Sequence, residues 1–121
     1  MTQIDMDIQV AQTNGITIIS IYGELDDFQA PKLHHTFSNE PIYSQTGIII
    51  DLSNTSFVDS VGLGVIVAQA KLLKKDGIRT VLVVTTPQII RLLNQTGITT
   101  SQSLSITVTD SVAGAITLLS E

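Results

Sequence analysis

The sequence predicts an α/β fold, a single domain whose helices cover a mostly parallel mixed sheet. Short apolar runs alternate along the chain with segments of helical periodicity. Hydrophobic residues make up 43% of the chain and aromatic residues only 4%. The core must therefore be aliphatic, as is typical of strands buried on both faces. The 121 residues contain no linker or repeat, so we expect one domain over 1–121.

The chain is predicted to begin with an antiparallel hairpin. "IDMDIQVAQ" alternates apolar and polar residues, the turn signal "TNG" follows, and "ITIISIY" is strongly apolar. We expect strands near 4–11 and 16–22, the first of them antiparallel at the sheet edge. A first helix is expected from about residue 28, because "FQAPKLHHTF" has helical spacing and Pro31 is tolerated only in a first turn.

Strands and helices are predicted to alternate along the remaining chain, giving about four helices in all. Apolar runs indicate buried strands at 47–52 and 78–84, and "SITVT" indicates a last strand at 105–109. The segment "SNTSFVD" is expected to be a loop before a helix at 60–75. "TTPQIIRLLNQTG" has a threonine cap, proline at the first helical position and glycine past the end. Asp110 is expected to cap the last helix.

Charge and the absence of leader-like segments restrict the possible partners. The formal net charge is −5, and no Lys or Arg precedes Lys32, which argues against nucleic acid. The N-terminus lacks the basic start of a secretory signal, and the apolar run at 61–68 is too short to span a bilayer. We therefore expect a cytoplasmic protein that has no membrane partner.

The sequence lacks the motifs of most enzyme active sites. The phosphate-binding glycine loops are missing, and Ser60 has no G-x-S-x-G setting. His34 and His35 are neighbours on a helix, point in different directions and cannot share a metal. A response-regulator receiver does not fit either, because the segment between Asp27 and Asp51 is too short for two helices and two strands. We expect no catalytic residue, cofactor or metal site, and thus no enzyme.

The second predicted helix begins unusually. Asp59 and Ser60 are followed by eight residues without a polar side chain, two of them glycine. Either Asp59 or Ser60 could cap the helix. Two apolar stripes run along it, one through positions 61, 65, 68 and 72 and one through 63, 66 or 67, 70 and 73. One stripe packs on the sheet, and the other is free to form a docking surface for a protein.

The glycines and the hydroxyl at this surface suggest a switch. Gly62 and Gly64 cost helix stability, but they would let another backbone approach. Phosphorylation of Ser60 would add about −1.5 to −2 charges. Asp59 is adjacent, the Asp26–Asp27 pair is expected nearby, and these loops contain no Lys or Arg. Phosphate would therefore drive a bound partner away.

At this point the sequence resembles anti-sigma factor antagonists of the STAS domain class. The resemblance covers essentially the whole chain and is carried by "ISIYGELD" and "GIIIDLSNTSFVDSVGLGVIVAQAKLLKKDG". Its most specific element is an apolar strand ending in "DLS", followed by F-V-D-S-x-G-L-G leading into the helix.

The resemblance implies a partner switch. Ser60 would be phosphorylated by an ATP-dependent anti-sigma factor serine kinase, and a serine phosphatase would reverse the reaction. The unphosphorylated antagonist would bind the kinase and release its target, a sigma factor or another regulator. The resemblance places Asp26 in partner contact, and the partner-binding residues predicted in all are Asp26, Asp59, Ser60, Val61, Gly62, Leu63 and Gly64.

A second hypothesis keeps the fold without the switch. The domain would be a constitutive adaptor or a transporter-associated STAS subunit, with Ser60 serving only as a helix cap. A small-molecule binding module has little support, because no convergent polar and aromatic pocket is visible in the sequence.

Overall fold

One mixed sheet organises the chain. The computed structural model describes residues 6–39, 46–100 and 104–121. The elements in chain order are β1 (Asp7–Thr13), β2 (Ile16–Leu25), α1 (Ala30–Asn39), β3 (Gly47–Asp51), β4 (Thr55–Val58), α2 (Ser60–Lys75), β5 (Arg79–Val83), α3 (Pro87–Thr96), a 3-10 turn (Ile98–Thr100), β6 (Ile106–Thr109) and α4 (Val112–Leu119). The strand order is β1-β2-β3-β5-β6, and β4 pairs with β2 off this path.

The predicted α/β fold and its N-terminal hairpin are confirmed. β1 pairs antiparallel with β2, whereas every other strand pairing in the described ranges is parallel. The hairpin turn has positive φ at both Asn14 (49°) and Gly15 (76°). Two consecutive positive φ values are what a two-residue type I′ turn needs, and Asn-Gly supplies them at low cost. Residues 4 and 5 of the first predicted strand lie outside the described residues.

The core lies on both faces of the sheet, because successive strand residues point to opposite faces. Ile48 and Ile50 of β3 pack with α1, α2 and α3, whereas Ile49 between them packs with Ala115 and Leu119 of α4. All five residues of β3 are buried. The continuous apolar run at the centre of the sequence therefore follows from coverage by helices on two sides.

A short strand that sequence reasoning assigned to a loop positions the candidate site. β2 is ten residues long, and its first half pairs with β3 through Ile16–Ser20. Beyond the end of β3, β4 pairs with β2 through the partners of Gly23, Glu24 and Leu25. β4 thereby carries the segment before α2 to the end of β2.

Two helix starts differ from the sequence expectation, and a third has the expected position without its side-chain cap bond. α1 begins at Ala30 rather than near residue 28, because Asp26 accepts bonds from the N–H groups of Gln29 and Ala30 in a preceding turn. α4 is capped by Ser111, whose hydroxyl accepts from the N–H of Gly114 at 3.0 Å; the expected cap Asp110 is one residue too early. Thr86 occupies the cap position of α3 but makes no side-chain cap bond.

In the described ranges, every helix is either too short or too polar to cross a membrane.

Candidate functional site

Asp59 fixes the start of α2. Its Oδ1 accepts from the N–H of Gly62 at 2.8 Å, and its Oδ2 accepts from the N–H of Asp27 at 2.8 Å. Its own N–H donates to the carbonyl oxygen of Leu25 at 3.1 Å. The first two bonds use both carboxylate oxygens, so Asp59 caps the helix and also ties it to the segment after β2. Of the two candidate caps, the structure selects Asp59.

Ser60 is left with an exposed hydroxyl. It is the first residue of α2. Because Asp59 satisfies the N–H of Gly62, the Ser60 side chain is not needed as a cap, and it makes no hydrogen bond within the described ranges.

Acidic residues lie near the start of α2. Asp59 precedes it, and Asp27 is held beside Asp59 by the backbone bond at 2.8 Å. Asp26 is half-buried, and its Oδ1 accepts from the N–H of Gln29 at 2.9 Å. The expectation that this acidic pair lies close to the second helix is confirmed. The ammonium of Lys32, the first cation in the sequence, donates to the carbonyl oxygen of Met6.

Apolar surface lies next to the acidic group. Val61 is 51% exposed and Phe28 is 67% exposed. An open groove of about 350 Å³ separates α1 from α2 near their N-termini. Its lining residues are Asp27, Ala30, Pro31, His34, Val61 and Val65. We refer to this feature as the α1–α2 groove.

The two predicted stripes of α2 are separated as expected. Leu63, Ile66, Ala70 and Leu73 are buried. On the other stripe, Val61, Ala68 and Leu72 are exposed and Val65 is half-buried. Part of this apolar stripe is therefore exposed, although Val65 packs partly against the core.

Two members of the predicted partner-binding set face the protein itself. Leu63 is only 3% exposed and belongs to the core. Gly62 is buried, and a Cβ on it would lie 2.5 Å from the carbonyl oxygen of Leu25. The backbone that packs closely against Gly62 is therefore that of β2 in the same chain. The expectation that an external partner packs there is wrong. Gly64 differs, since a Cβ on it would meet no atom within 4 Å.

Two side chains at the start of α3, those of the cap residue Thr86 and of Gln88, hold β4, and sequence reasoning missed this role. The Gln88 carboxamide donates from Nε2 to the carbonyl oxygen of Val58 at 2.8 Å and accepts from the Val58 N–H at 3.1 Å. Thr86 donates its hydroxyl proton to the carbonyl oxygen of Thr55 at 2.9 Å, which explains why it does not cap α3. The threonine cap was visible in the sequence, but no sequence feature indicated a role for Gln88.

Asp51 has a local structural role. This buried carboxylate at the end of β3 accepts from the N–H of Ser53 at 3.0 Å and from its hydroxyl at 2.6 Å. The bonds close a tight turn between β3 and β4. Among the described residues, no group of three or more His, Asp or Glu could hold a metal ion.

The decisive comparison is with protein families. The family description "STAS domain" matches residues 7–115, which include the whole candidate site. The chain belongs to the STAS domain family. The STAS assignment agrees with the parallel order of β2, β3, β5 and β6 and with the hairpin strand at one edge.

The sequence relatives of this STAS domain are named anti-sigma factor antagonists. The anti-sigma-B factor antagonist of Bacillus subtilis is 33% identical over 95 residues, which cover 78% of this chain and 85% of that protein. The anti-sigma-F factor antagonist RsfB of Mycobacterium tuberculosis is 34% identical over 64 residues, or 53% of this chain. That match spans about half of RsfB, 52% of its length.

A solved structure shows the same fold over nearly the whole chain. The crystal structure of an anti-sigma factor antagonist from Mycobacterium paratuberculosis superposes with a TM-score of 0.85 at 25% identity. The superposition covers 97% of this chain and 96% of that one. The resemblance to STAS-class anti-sigma factor antagonists is confirmed.

Proposed function

We propose that this protein is a phosphorylation-controlled anti-sigma factor antagonist. The unphosphorylated form binds an anti-sigma factor serine kinase and thereby releases the target of that kinase. In the switching step the Ser60 Oγ bonds to the γ-phosphorus of ATP, ADP leaves with the bonding electron pair, and the hydroxyl proton passes to a base of the kinase. The domain is a binding module and a substrate, and a serine phosphatase resets it.

The observation that carries this proposal is the state of Ser60. Its hydroxyl is exposed at the start of α2 because Asp59 performs the capping. A kinase can reach such a group without unfolding the helix. The names of the relatives supply the class of partner, since they are antagonists of anti-sigma factors.

The direction of the switch follows from charge. A phosphate on Ser60 would stand beside Asp59, whose two oxygens already accept the nearby N–H groups of Gly62 and Asp27. Little of the helix N-terminus is then left to stabilise the added charge of about −1.5 to −2. Repulsion and desolvation would therefore weaken any complex that covers this region.

The contact surface we propose combines charge and apolar area. Val61, Gly64 and Phe28 supply exposed apolar or side-chain-free surface, and the α1–α2 groove can accept an apolar side chain of the kinase. Asp26 and Asp59 supply acidic character at its edge. Gly62 and Leu63 contribute indirectly, by packing α2 against β2 and the core.

Mapping the phosphate tests the proposal. The cognate kinase and ATP should label the wild-type protein at Ser60, as seen by mass spectrometry of its peptides, and Ser60→Ala should abolish labelling. Ser56 is a matched control because it is also exposed and lies in the adjacent β4. Ser56→Ala should be labelled like the wild type. Phosphate on another residue, or undiminished labelling of Ser60→Ala, would refute the switch.

Binding of the two Ser60 variants distinguishes the switch from a constitutive adaptor. Ser60→Ala should bind the kinase like the wild type, whereas Ser60→Asp should bind at least about tenfold more weakly because it adds charge beside Asp59. Calorimetric titration of the kinase with each variant measures this. A constitutive adaptor or transporter-associated subunit predicts equal affinities for its partner.

A further inference from the structure

β4 is a four-residue strand that lies off the main path of the sheet. Its two edges are hydrogen-bonded in different ways. One edge pairs with β2 at Gly23, Glu24 and Leu25. The other edge is hydrogen-bonded to side chains at the start of α3. Thr86 donates to the carbonyl oxygen of Thr55, and Gln88 bonds to the backbone of Val58. α3 therefore replaces the neighbouring strand that β4 lacks in the described sheet.

Gln88 makes the more specific contact. Its carboxamide both donates to and accepts from the backbone of one residue, Val58, at 2.8 and 3.1 Å. This imitates the pair of bonds that a residue in a neighbouring strand would make. Val58 is 0% exposed in the presence of Gln88, so its N–H and C=O have no contact with water while this contact is made. The contact is thus the main constraint on the outer edge of β4 where the strand ends.

The end of β4 leads directly to the modified residue. Val58 is followed by Asp59 and Ser60, and the N–H of Asp59 is bonded to the carbonyl oxygen of Leu25. Gln88 and β2 thus hold this segment from opposite sides. The position of the Ser60 hydroxyl relative to the groove and to Asp59 depends on both.

We propose that Gln88 is a positioning residue for phosphorylation of Ser60. This inference rests on the proposed function and adds that α3, which does not contain the site, sets the geometry in which the Ser60 Oγ meets the γ-phosphorus of ATP. Transfer requires the attacking oxygen within a short distance and in line with the departing ADP. When the bonds between Gln88 and Val58 are lost, Ser60 adopts this in-line geometry less often. The kcat for phosphorylation therefore falls, while the docking surface on α1 and α2 is unchanged.

Gln88→Met tests this, because methionine has similar length but cannot make the two polar bonds. Gln95→Met is the matched control, since Gln95 is exposed on the same helix. With the cognate kinase and ATP, kcat for Ser60 phosphorylation should fall about tenfold or more in Gln88→Met, with KM changed less than about twofold. Gln95→Met should match the wild type in both. Thermal melting establishes that each variant is folded at the assay temperature.

A second variant gives a readout that does not depend on the kinase. In Gln88→Glu the carboxylate can accept from the Val58 N–H but cannot donate to the Val58 carbonyl, and protonation restores the donor. The NMR amide shift of Val58 in Gln88→Glu should move toward the wild-type position as pH falls through about 4.3, the ordinary range of glutamate. Wild-type spectra at each pH supply the baseline for shifts that do not come from residue 88.

The outcomes separate this inference from the proposed function. If wild-type protein is not labelled on Ser60, the proposed function fails. If the wild type is labelled and folded Gln88→Met has the wild-type kcat, the positioning role is overturned while the switch stands. The positioning role is also overturned if Val58 in Gln88→Glu shifts with pH as it does in the wild type.

Discussion

At the scale of single residues, the site depends on which of two adjacent residues caps α2. Asp59 caps the helix, and the Ser60 hydroxyl is left without a capping role. Adjacent residues of these types compete for the same capping role, and their order in the sequence does not decide between them. The structure decides because the Asp59 side chain reaches both Gly62 and Asp27. The proposed phosphorylation of Ser60 would therefore break no side-chain hydrogen bond of the fold.

Asp59→Ala should destabilise the protein by about 1–2 kcal/mol, because the N–H groups of Gly62 and Asp27 lose their acceptor. Ser60→Ala should change the free energy of unfolding by less than about 0.5 kcal/mol, because the Ser60 hydroxyl supports neither group. Urea denaturation monitored by circular dichroism measures both. The capping assignment would be wrong if Ser60→Ala lowered the free energy of unfolding and Asp59→Ala left it unchanged.

The two glycines at the start of α2 should respond oppositely to the same change. Gly62→Ala places a Cβ 2.5 Å from the Leu25 carbonyl oxygen and 2.6 Å from its Cγ, so α2 must shift away from β2. We expect a loss of about 1–3 kcal/mol. Gly64→Ala meets open space and should be neutral or stabilise by up to about 1 kcal/mol through helix propensity.

Chemical denaturation of the two glycine variants in parallel tests this pair. Equal stabilisation of both variants would mean that helix propensity dominates at both positions, and the packing account of Gly62 would be wrong.

At the scale of elements, the exposed stripe of α2 should matter for binding where it borders Ser60 and not at its far end. Val61 and Leu72 are similarly exposed, at 51% and 57%. Val61→Asn should weaken kinase binding about tenfold, because it places a polar group beside the α1–α2 groove. Leu72→Asn, three turns further along, should change affinity less than about threefold. Similar affinities for both variants in a titration calorimeter would place the interface elsewhere.

An element could be predicted when neighbouring residues in the sequence determine it, and was missed when residues distant in the chain do. The hairpin followed from Asn14-Gly15, and the extent of α2 followed from its apolar stripes and its Lys-Lys end. β4 was missed because "TSFV" has no strand periodicity and becomes a strand only when it lies beside β2. The roles of Gln88 and Gly62 were missed for the same reason, since both depend on residues distant in the chain.

At the scale of the whole molecule, charge is unevenly distributed. Asp26, Asp27 and Asp59 gather at the N-terminal end of α2, whereas Lys71, Lys74 and Lys75 lie toward its C-terminal end. A new negative charge at Ser60 thus enters the acidic end of the domain. The resulting field, and not a change of fold, is what we expect a partner to sense.

This electrostatic account predicts a dependence on salt. The ratio of kinase affinities between Ser60→Asn and Ser60→Asp should decrease as ionic strength rises from about 0.05 to 0.5 M, because repulsion between partly exposed charges is screened. Titrations at several salt concentrations measure the ratio. A ratio that does not change with salt would indicate a steric effect of the side chain and not a charge effect.

The most direct test of the central claim is the affinity of the cognate kinase for two forms of the natural protein, unmodified and fully phosphorylated on Ser60. Isothermal titration with the kinase in its ADP-bound state avoids further transfer during the measurement. We predict that the unmodified form binds at least about a hundredfold more tightly, since phosphate carries more charge than the aspartate variant. Equal binding of the two forms would contradict a switch at Ser60.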